Sequence, residues 1–371
     1  MASPEGEAER FILEVWILQG TAYLMVGLRY FNRIHSMGFS GLTWDDLLML
    51  FATLTYTAES VMAHLVVAYW RGLANNAMTE DQRASLSPTS EEYLFRVNGS
   101  KTHVAGLLLY TTLLWLLKGC WTIYYARLTS GVHKMKLLIR GAYIMMPLTY
   151  VGCLLVAFLK CIPFEKQWQI YPNPGNNCEP AISTLQTIFV MIMNTLTDLL
   201  LMSIPLPMIW KSSLPLRKKF FLLIMFSGGL LEMTFGILRC TSILTLGDID
   251  PAQSGYWSVR ESFVSFVLTN MPMVYPLIKG VVEKGMSSIG VSKGGTRVNT
   301  EGYRLGSYPT RTHLSRKQGP ITAGGTEWGS EENIVDGKGN DIGEQLPIQG
   351  GVVGGGDKGI MVAHEYTITE T

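Results

Sequence analysis

Long apolar runs, separated by short polar segments, occupy the first three quarters of the chain. There are seven of them, each about 20–28 residues long and therefore sufficient to cross the ~30 Å hydrocarbon core of a bilayer. None has the alternation of a membrane β-strand, and helices satisfy their own backbone hydrogen bonds in lipid. The pattern predicts an all-α membrane protein, a seven-transmembrane-helix bundle embedded in the lipid bilayer. The predicted spans are residues 11–31, 44–69, 102–126, 137–160, 181–209, 218–246 and 258–279.

Lys and Arg are unevenly distributed between the predicted spans, and this bias gives the orientation. The segments that follow spans one, three, five and seven are basic, whereas three glutamates precede span one, and Asp248 and Asp250 precede span seven. Because basic segments remain in the cytosol, the N-terminus is predicted outside and the C-terminus inside. Residues 1–10 then form a short extracellular N-terminus, and residues 11–280 form the seven-transmembrane domain.

Composition changes beyond residue 280, where Gly and Ser dominate and no apolar periodicity survives. Such a segment buries too little apolar surface to offset its chain entropy, so residues 281–371 are predicted to be a disordered cytosolic tail. Even with this polar end, 47% of the residues are hydrophobic and only 16% are charged. The net charge is +1, and no basic patch interleaved with aromatic residues occurs. Nucleic acid is therefore not an expected partner.

Two features of the outer segments agree with this orientation. Cys161 and Cys178 flank a loop predicted outside, where an oxidising environment permits a disulfide, although two free thiols are the alternative. Asn98 begins an Asn-Gly-Ser glycosylation sequon in another outer segment, close to the membrane. The other three cysteines lie within predicted helices and are expected to be small buried residues.

Six ionisable side chains fall at membrane depth, where their cost makes each a functional candidate. Depth alone pairs Arg239 with Glu261 in the outer third and Lys118 with Asp198 in the inner half. These pairs could simply fix the order of the helices, or one of them could line a polar ligand cavity or lock a switch. Lys118 could instead extend to the cytosolic side and meet an aspartate at the start of span two. The six residues are Glu59, Lys118, Asp198, Glu232, Arg239 and Glu261.

The chain has no motif typical of an enzyme or a cofactor site. It contains neither a Gly-rich phosphate loop nor a hydrolase or zinc-protease signature, so it is predicted not to be an enzyme. His64 and His103 lie near the outer face and could bind a metal with a neighbouring glutamate, but paired ligand spacing is absent and no metal is predicted. Retinal pigments carry a Schiff-base lysine in the seventh helix. Residues 258–278 contain no lysine, so retinal is not expected either.

Several motifs in order resemble the fungal rhodopsin-like integral membrane domain family, which includes Pth-type receptor-like proteins. The resemblance covers residues 15–282. One departure is the Gly119-Cys120 pair, which stands where the family usually has Leu-Ser. The matching elements are Trp44-Asp45-Asp46, Lys118 with Tyr125-Ala126-Arg127, Cys161-Ile162-Pro163 with Trp168 and Cys178, Asp198 with Pro205-Leu206-Pro207 and Trp210, Lys218-Lys219 with Gly229 and Arg239, and Glu261 with Pro272 and Pro276.

The resemblance implies a receptor-like protein, since some members are linked to the sensing of external cues through G-protein signalling. A plasma-membrane location, an unidentified extracellular ligand and a heterotrimeric G-protein partner are then expected. The candidate ligand pocket comprises Glu59, His64, Arg239 and Glu261. The candidate cytosolic docking residues, which could equally be ordinary membrane anchors, are Arg127, Lys134, Lys136, Arg217, Lys218 and Lys219.

Two other functions fit the same residues. Glu59, Asp198 and Glu232 could act as a relay in a proton-coupled or small-solute transporter, because chains of intramembrane carboxylates serve such work. A lipid-modifying membrane enzyme is the third interpretation, and it would require a metal bound through His64 or His103.

Overall fold

The computed structural model describes residues 4–129, 135–207, 216–246 and 253–288. This part of the chain contains seven long α-helices, one short helix (α3) and several single turns of 3-10 helix, with no strand among the described residues. The helices are α1 (Pro4–Met37), α2 (Trp44–Ala68), α3 (Glu80–Ser85), α4 (Glu91–Leu128), α5 (Lys136–Leu159), α6 (Thr184–Ser203), α7 (Leu216–Leu246) and α8 (Gln253–Ser288). The predicted all-α class is confirmed. The predicted start of the disordered tail at residue 281 is wrong, because α8 continues to Ser288, and the rest of the predicted tail lies outside the described residues.

Six helices within the described ranges are long and apolar enough to cross a membrane, namely α1, α2, α4, α5, α6 and α7. The seventh long helix, α8, carries Glu261, Asn270 and two internal prolines and is not among these six. It packs against α1, α4 and α7 as part of the same bundle. Its crossing of the membrane, and hence the full count of seven spans, remains a prediction.

Helices α1 and α4 begin at least seven residues before the positions that the hydropathy pattern predicted. Helix α1 starts at Pro4, so most of the predicted extracellular N-terminus is helical. Helix α4 starts at Glu91, well before residue 102, because Ser90 caps it: the Ser90 hydroxyl accepts a hydrogen bond from the Tyr93 amide. Acidic residues in the first turn, Glu91 and Glu92, favour the positive end of the helix dipole. A search for long apolar runs does not detect such polar first turns.

The centre of the bundle is built around α4, whose apolar side chains pack with those of α2 and α8. Tyr56 and Phe266 stack with their ring centroids 5.2 Å apart, beside the fully buried Leu113 and Leu117. Large apolar side chains also cover the outward faces of the helices; Leu137, for example, is 79% exposed. An apolar surface of this extent is uncommon on soluble proteins and is what lipid contact requires.

Two loops lie at the end of the bundle where α2 ends and α4 begins, and we call them the outer cap (residues 69–90 and 160–183) because the predicted orientation places them outside. Polar contacts join the two loops, and a disulfide closes the second one. The predicted Cys161–Cys178 disulfide is confirmed. Arg83 Nη2 donates to Glu179 Oε1 at 2.5 Å, and this ion pair is buried. Asn75 Nδ2 lies within hydrogen-bond distance of the carbonyls of three residues in the second loop. The cap is therefore a defined structure at the end of the bundle where α2 ends and α4 begins.

The sequon lies inside helix α4 rather than in an exposed loop. Ser100 is fully buried, donates to the Arg96 carbonyl and accepts from the Asn75 amide. Gly99 has no room for a side chain, because a Cβ there would collide with the Leu73 carbonyl of the outer cap. Glycosylation of Asn98 stays a prediction. In the folded protein the Asn-Gly-Ser triplet serves the close approach of α4 to the cap.

Candidate functional site

Buried ionisable and amide side chains from five helices meet in the interior of the bundle. We call this group the central polar network. Each of its members is at most 6% exposed, and they come from α2, α4, α6, α7 and α8. Its members are Glu59, Lys118, Asn194, Asp198, Glu232, Arg239 and Glu261.

The inner part of the network is the predicted pair of Lys118 and Asp198. Lys118 Nζ donates to Asp198 Oδ1 and also to the Asn194 carbonyl, the latter at 3.1 Å. The alternative in which Lys118 reaches an aspartate of α2 is therefore not what the structure contains. Asp198 Oδ2 has no hydrogen-bond partner among the described residues. Glu232 is a further electrostatic neighbour of the Asp198 carboxyl group.

The predicted ion pair of Arg239 and Glu261 is wrong as a direct contact, since no salt bridge within 4.0 Å joins these two described side chains. Arg239 Nε instead donates to Ser258 Oγ at 2.9 Å, and its guanidinium lies 4.2 Å from the Tyr110 ring centroid. The two residues remain electrostatic neighbours. The position of a residue along its span gives its depth in the membrane, but it does not give the direction in which the side chain points.

Glu59 and Glu261 are each only partly satisfied. Ser262 Oγ donates to Glu59 Oε1 at 2.9 Å, and Asn194 Nδ2 donates to Glu261 Oε1 at 3.3 Å. The second carboxyl oxygen of both glutamates has no partner among the described residues. With four carboxyl groups and two basic side chains, the network is negatively charged unless it takes up protons or a cation, because isolated buried charges are costly.

A cleft lies beside Glu59, between α1, α2, α4 and α8, and we call it the outer cleft because the predicted orientation places it toward the outside. His103 also lines it, and the His103 Nε2 atom is buried without a partner in the described structure. The other residues along its walls are Phe11, Met62, Ala63, Val66, Val67, Thr102, Gly106, Leu107, Gly255, Ser258 and Val259. The outer cleft is thus apolar along most of its walls, with a few polar groups that converge.

His64, which was predicted to line the ligand pocket, does not line the outer cleft. It accepts a hydrogen bond from Trp16 Nε1 at 3.4 Å, at an exposed contact between α1 and α2. Five residues advance a helix by about 500°, so His64 lies about 140° around α2 from Glu59. Sequence reasoning considered His103 only as a metal ligand. The useful signal was the apolar stripe of Met62, Ala63 and Val66, which shares the face of Glu59.

Arg239, the third predicted pocket residue, lines a separate and smaller pocket between α4, α6 and α7. Pro180 and Ala181 of the outer cap lie over it. Tyr110, which also lines it, lies beside the Glu261 carboxyl group. Glu261 itself lines neither pocket and belongs to the network between them.

Opposite the outer cap, at the other end of the bundle, an ionic group joins α1, α2 and α4, and we call it the inner charge cluster. Arg29 Nη2 contacts Asp45 Oδ2 at 2.7 Å and Asp46 Oδ1 at 3.1 Å. Arg33 Nε contacts Asp46 Oδ2 at 3.2 Å, and Arg127 Nη2 contacts Asp45 Oδ2 at 2.8 Å. Every carboxylate oxygen in this cluster has a partner. Arg127, a predicted docking residue, is therefore engaged within the bundle.

The remaining predicted docking residues are only partly described. Lys136 is exposed at the start of α5. Arg217, Lys218 and Lys219 fall in the first turn of α7, and Lys134 lies outside the described residues. Their role in docking stays a prediction.

The apolar helices, the lipid-compatible surface and the buried polar network define a multi-pass helical membrane protein. A family model described as the fungal rhodopsin domain matches residues 28–280, more than half of the chain, and the chain belongs to this family. The resemblance drawn from the sequence motifs is thereby confirmed. No curated protein and no solved structure matches the chain. Within the described residues, no group of three or more His, Cys, Asp or Glu side chains could hold a metal ion.

Proposed function

We propose that the protein is a seven-transmembrane receptor-like protein of the plasma membrane that binds an extracellular cue and signals to a cytosolic G protein. One observation carries the proposal: the outer cleft contains buried polar atoms without partners, and it adjoins a polar network that spans several helices. Binding sites are typically concave and largely apolar, with a few convergent polar groups. The outer position of the cleft rests on the charge bias of the loops.

A ligand at Glu59 would change the charge balance of the network and so the relative stability of two helix packings. It can shift that equilibrium only by its differential affinity for them. Helix α8 is suited to such a shift because Pro272 and Pro276 interrupt its backbone hydrogen bonds. Asn32 of α1 donates to the Met273 carbonyl between these prolines at 2.8 Å. A movement of α8 would therefore also move α1 next to the inner charge cluster.

Nucleotide-sensitive association with a Gα subunit tests this proposal. The full-length protein, gently solubilised from fungal membranes, would be captured with and without a GTP analogue. We expect Gα to co-purify and to be released by the analogue, and the Arg217→Glu/Lys218→Glu/Lys219→Glu variant to lose it. A matched variant with charge reversals on the opposite side, Lys101→Glu/Lys166→Glu, should retain it. Intact, monodisperse protein that never retains Gα would contradict the proposal.

A proton-coupled transporter is the second candidate, and the charge imbalance of the network favours it. Uptake or release of protons by Asp198, Glu232 or Glu59 would restore neutrality during a transport cycle. Against it, an apolar cluster that includes Tyr125, Met146 and Leu201 packs between α4, α5 and α6 beyond the level of Asp198. Proton-dependent flux into proteoliposomes that Asp198→Asn abolishes would support transport. Flux no greater than that of empty vesicles would exclude it.

A further inference from the structure

We infer that the outer cleft binds a small amphiphile whose protonated amine pairs with Glu59. The inference deepens the proposed function, on which it rests for access from the outside, by naming the chemical class of the ligand. It stands on three features of the described residues: an unpartnered buried carboxylate oxygen, an unpartnered imidazole nitrogen, and apolar walls between and around them.

The charges around Glu59 favour a cationic ligand. Glu59 is 4% exposed, and its Oε2 atom lacks a partner. The charged and titratable groups around it are Tyr56 on its own helix, His103 and Tyr110 on α4, Arg239 on α7 and Glu261 on α8. Among these, Arg239 is the single permanent cation, and it is shared between Glu59 and Glu261. An ammonium group at Oε2 would supply the missing counter-ion through a short charge-assisted hydrogen bond.

The second polar contact limits the ligand further. His103 is 6% exposed, and its Nε2 atom faces no hydrogen-bond partner in the described part of the bundle. Its neighbour Thr102, which also lines the cleft, is already satisfied by the Asn98 carbonyl and the Trp70 indole N–H. A hydroxyl or similar group on the ligand can pair with His103 in either tautomer.

The apolar walls of the outer cleft favour a ligand with an apolar body over a ligand that carries a second charge. Phe11, Val66, Val67, Leu107 and Val259 line the cleft around the polar pair, and apolar side chains form most of the lining of small-ligand sites in general. An anionic ligand would need a cation on the cleft. Arg239 instead lines the separate pocket, with its guanidinium over Tyr110 and its Nε bonded to Ser258.

Matched probes test the inference in full-length protein held in lipid nanodiscs. Hexylamine, 2-phenylethylamine and tryptamine would each be compared with the alcohol and the carboxylate of the same body. Binding would be titrated through the melting midpoint and by ligand-observed NMR. We expect at least one amine to bind about tenfold or more tightly than its alcohol, because only the amine forms a buried ion pair with Glu59. We expect the carboxylates not to bind. If no amine exceeds its alcohol, or if a carboxylate binds best, the inference is overturned.

Variants locate the effect. Glu59→Gln should remove the preference for the amine, whereas Ser262→Ala, which keeps the carboxylate, should retain it. Should Glu59→Gln fail to fold, Gly106→Leu provides a second route, because a Cβ at Gly106 meets only Met62 Cβ, at 3.7 Å. This change fills the cleft from its wall and should abolish binding of amine and alcohol alike. An amine preference that survives both changes would place the site elsewhere and refute the inference.

The outcomes separate this inference from the proposed function. Amine binding without any association with Gα would support the site and contradict the receptor proposal. Gα association in a protein with no amine preference would do the reverse.

Discussion

The inner charge cluster and the central polar network are both built from buried carboxylates and basic side chains, yet they differ in how well those groups are paired. In the inner cluster three arginines surround Asp45 and Asp46, and the Thr43 amide adds a capping bond to Asp46. In the network the carboxylates outnumber the cations, and three of them keep an oxygen without a partner in the described structure.

We interpret this difference as one between a structural role for the inner charge cluster and a functional role for the central polar network. A fully paired buried cluster stabilises and orients the helices that it joins, here α1, α2 and α4. A partly satisfied network loses stability in exchange for the capacity to bind a proton, a cation or a ligand. The two regions therefore make opposite predictions for the removal of a charge.

The largest effect is expected for Arg29→Ala. This arginine is 2% exposed and bridges both aspartates, so its loss leaves two buried carboxylates under-compensated. We expect the free energy of unfolding to fall by about 3–5 kcal/mol, measured by detergent-induced unfolding. Arg127→Ala is the control: its side chain is 38% exposed, so its loss should be clearly smaller. Equal losses of unfolding free energy would contradict the expectation that Arg29 contributes more to the stability of the cluster than Arg127.

A smaller effect is expected at the inner part of the network. Lys118→Met leaves Asp198 without its cation and should cost about 3 kcal/mol, the lower end of the range for a broken buried ion pair, because a buried carboxyl group can take up a proton instead. The double variant Lys118→Met/Asp198→Leu should recover most of that loss, because the pair is removed together. A double-mutant cycle on unfolding free energies measures the coupling. Additive losses would show that the two residues act independently.

The outer cap gives a reference point that involves no charge. Gly99→Ala should reduce the unfolding free energy by about 1–3 kcal/mol, since the new methyl group would push α4 away from Leu73. Gly106→Ala, on the same helix, is the matched control. Its methyl group makes an ordinary contact with Met62, and alanine favours helix, so a neutral or slightly positive change is expected.

The apolar runs predicted most of the helices because hydrophobicity over twenty residues is a strong signal. The outer disulfide followed from topology, since Cys161 and Cys178 bound one outer loop. The hydropathy pattern did not predict the early start of α4, because the first turns of this helix are polar and depend on the Ser90 cap. These are limits of a signal that averages over many residues.

The direction in which a side chain points around its helix was harder to predict than its depth in the membrane. The Lys118–Asp198 pair was found from depth, whereas Arg239 and Glu261, equally matched in depth, turn to different partners. His64 was placed in the pocket for the same reason. The direction of a side chain depends on how each helix is rotated in the bundle, and that rotation is set by packing among distant residues.

The most direct test of the contrast is to remove one negative charge from each region and compare the loss of stability. Asp46→Asn and Glu59→Gln are near-isosteric changes, and both would be measured in the absence of ligand in the same nanodiscs. We predict that Asp46→Asn lowers the free energy of unfolding by about 3 kcal/mol, because Asp46 binds two arginines and the Thr43 amide. Glu59→Gln should change it by less than about 1 kcal/mol, because one oxygen of Glu59 has no partner to lose. Equal losses at the two positions would contradict the division between a structural cluster and a functional network.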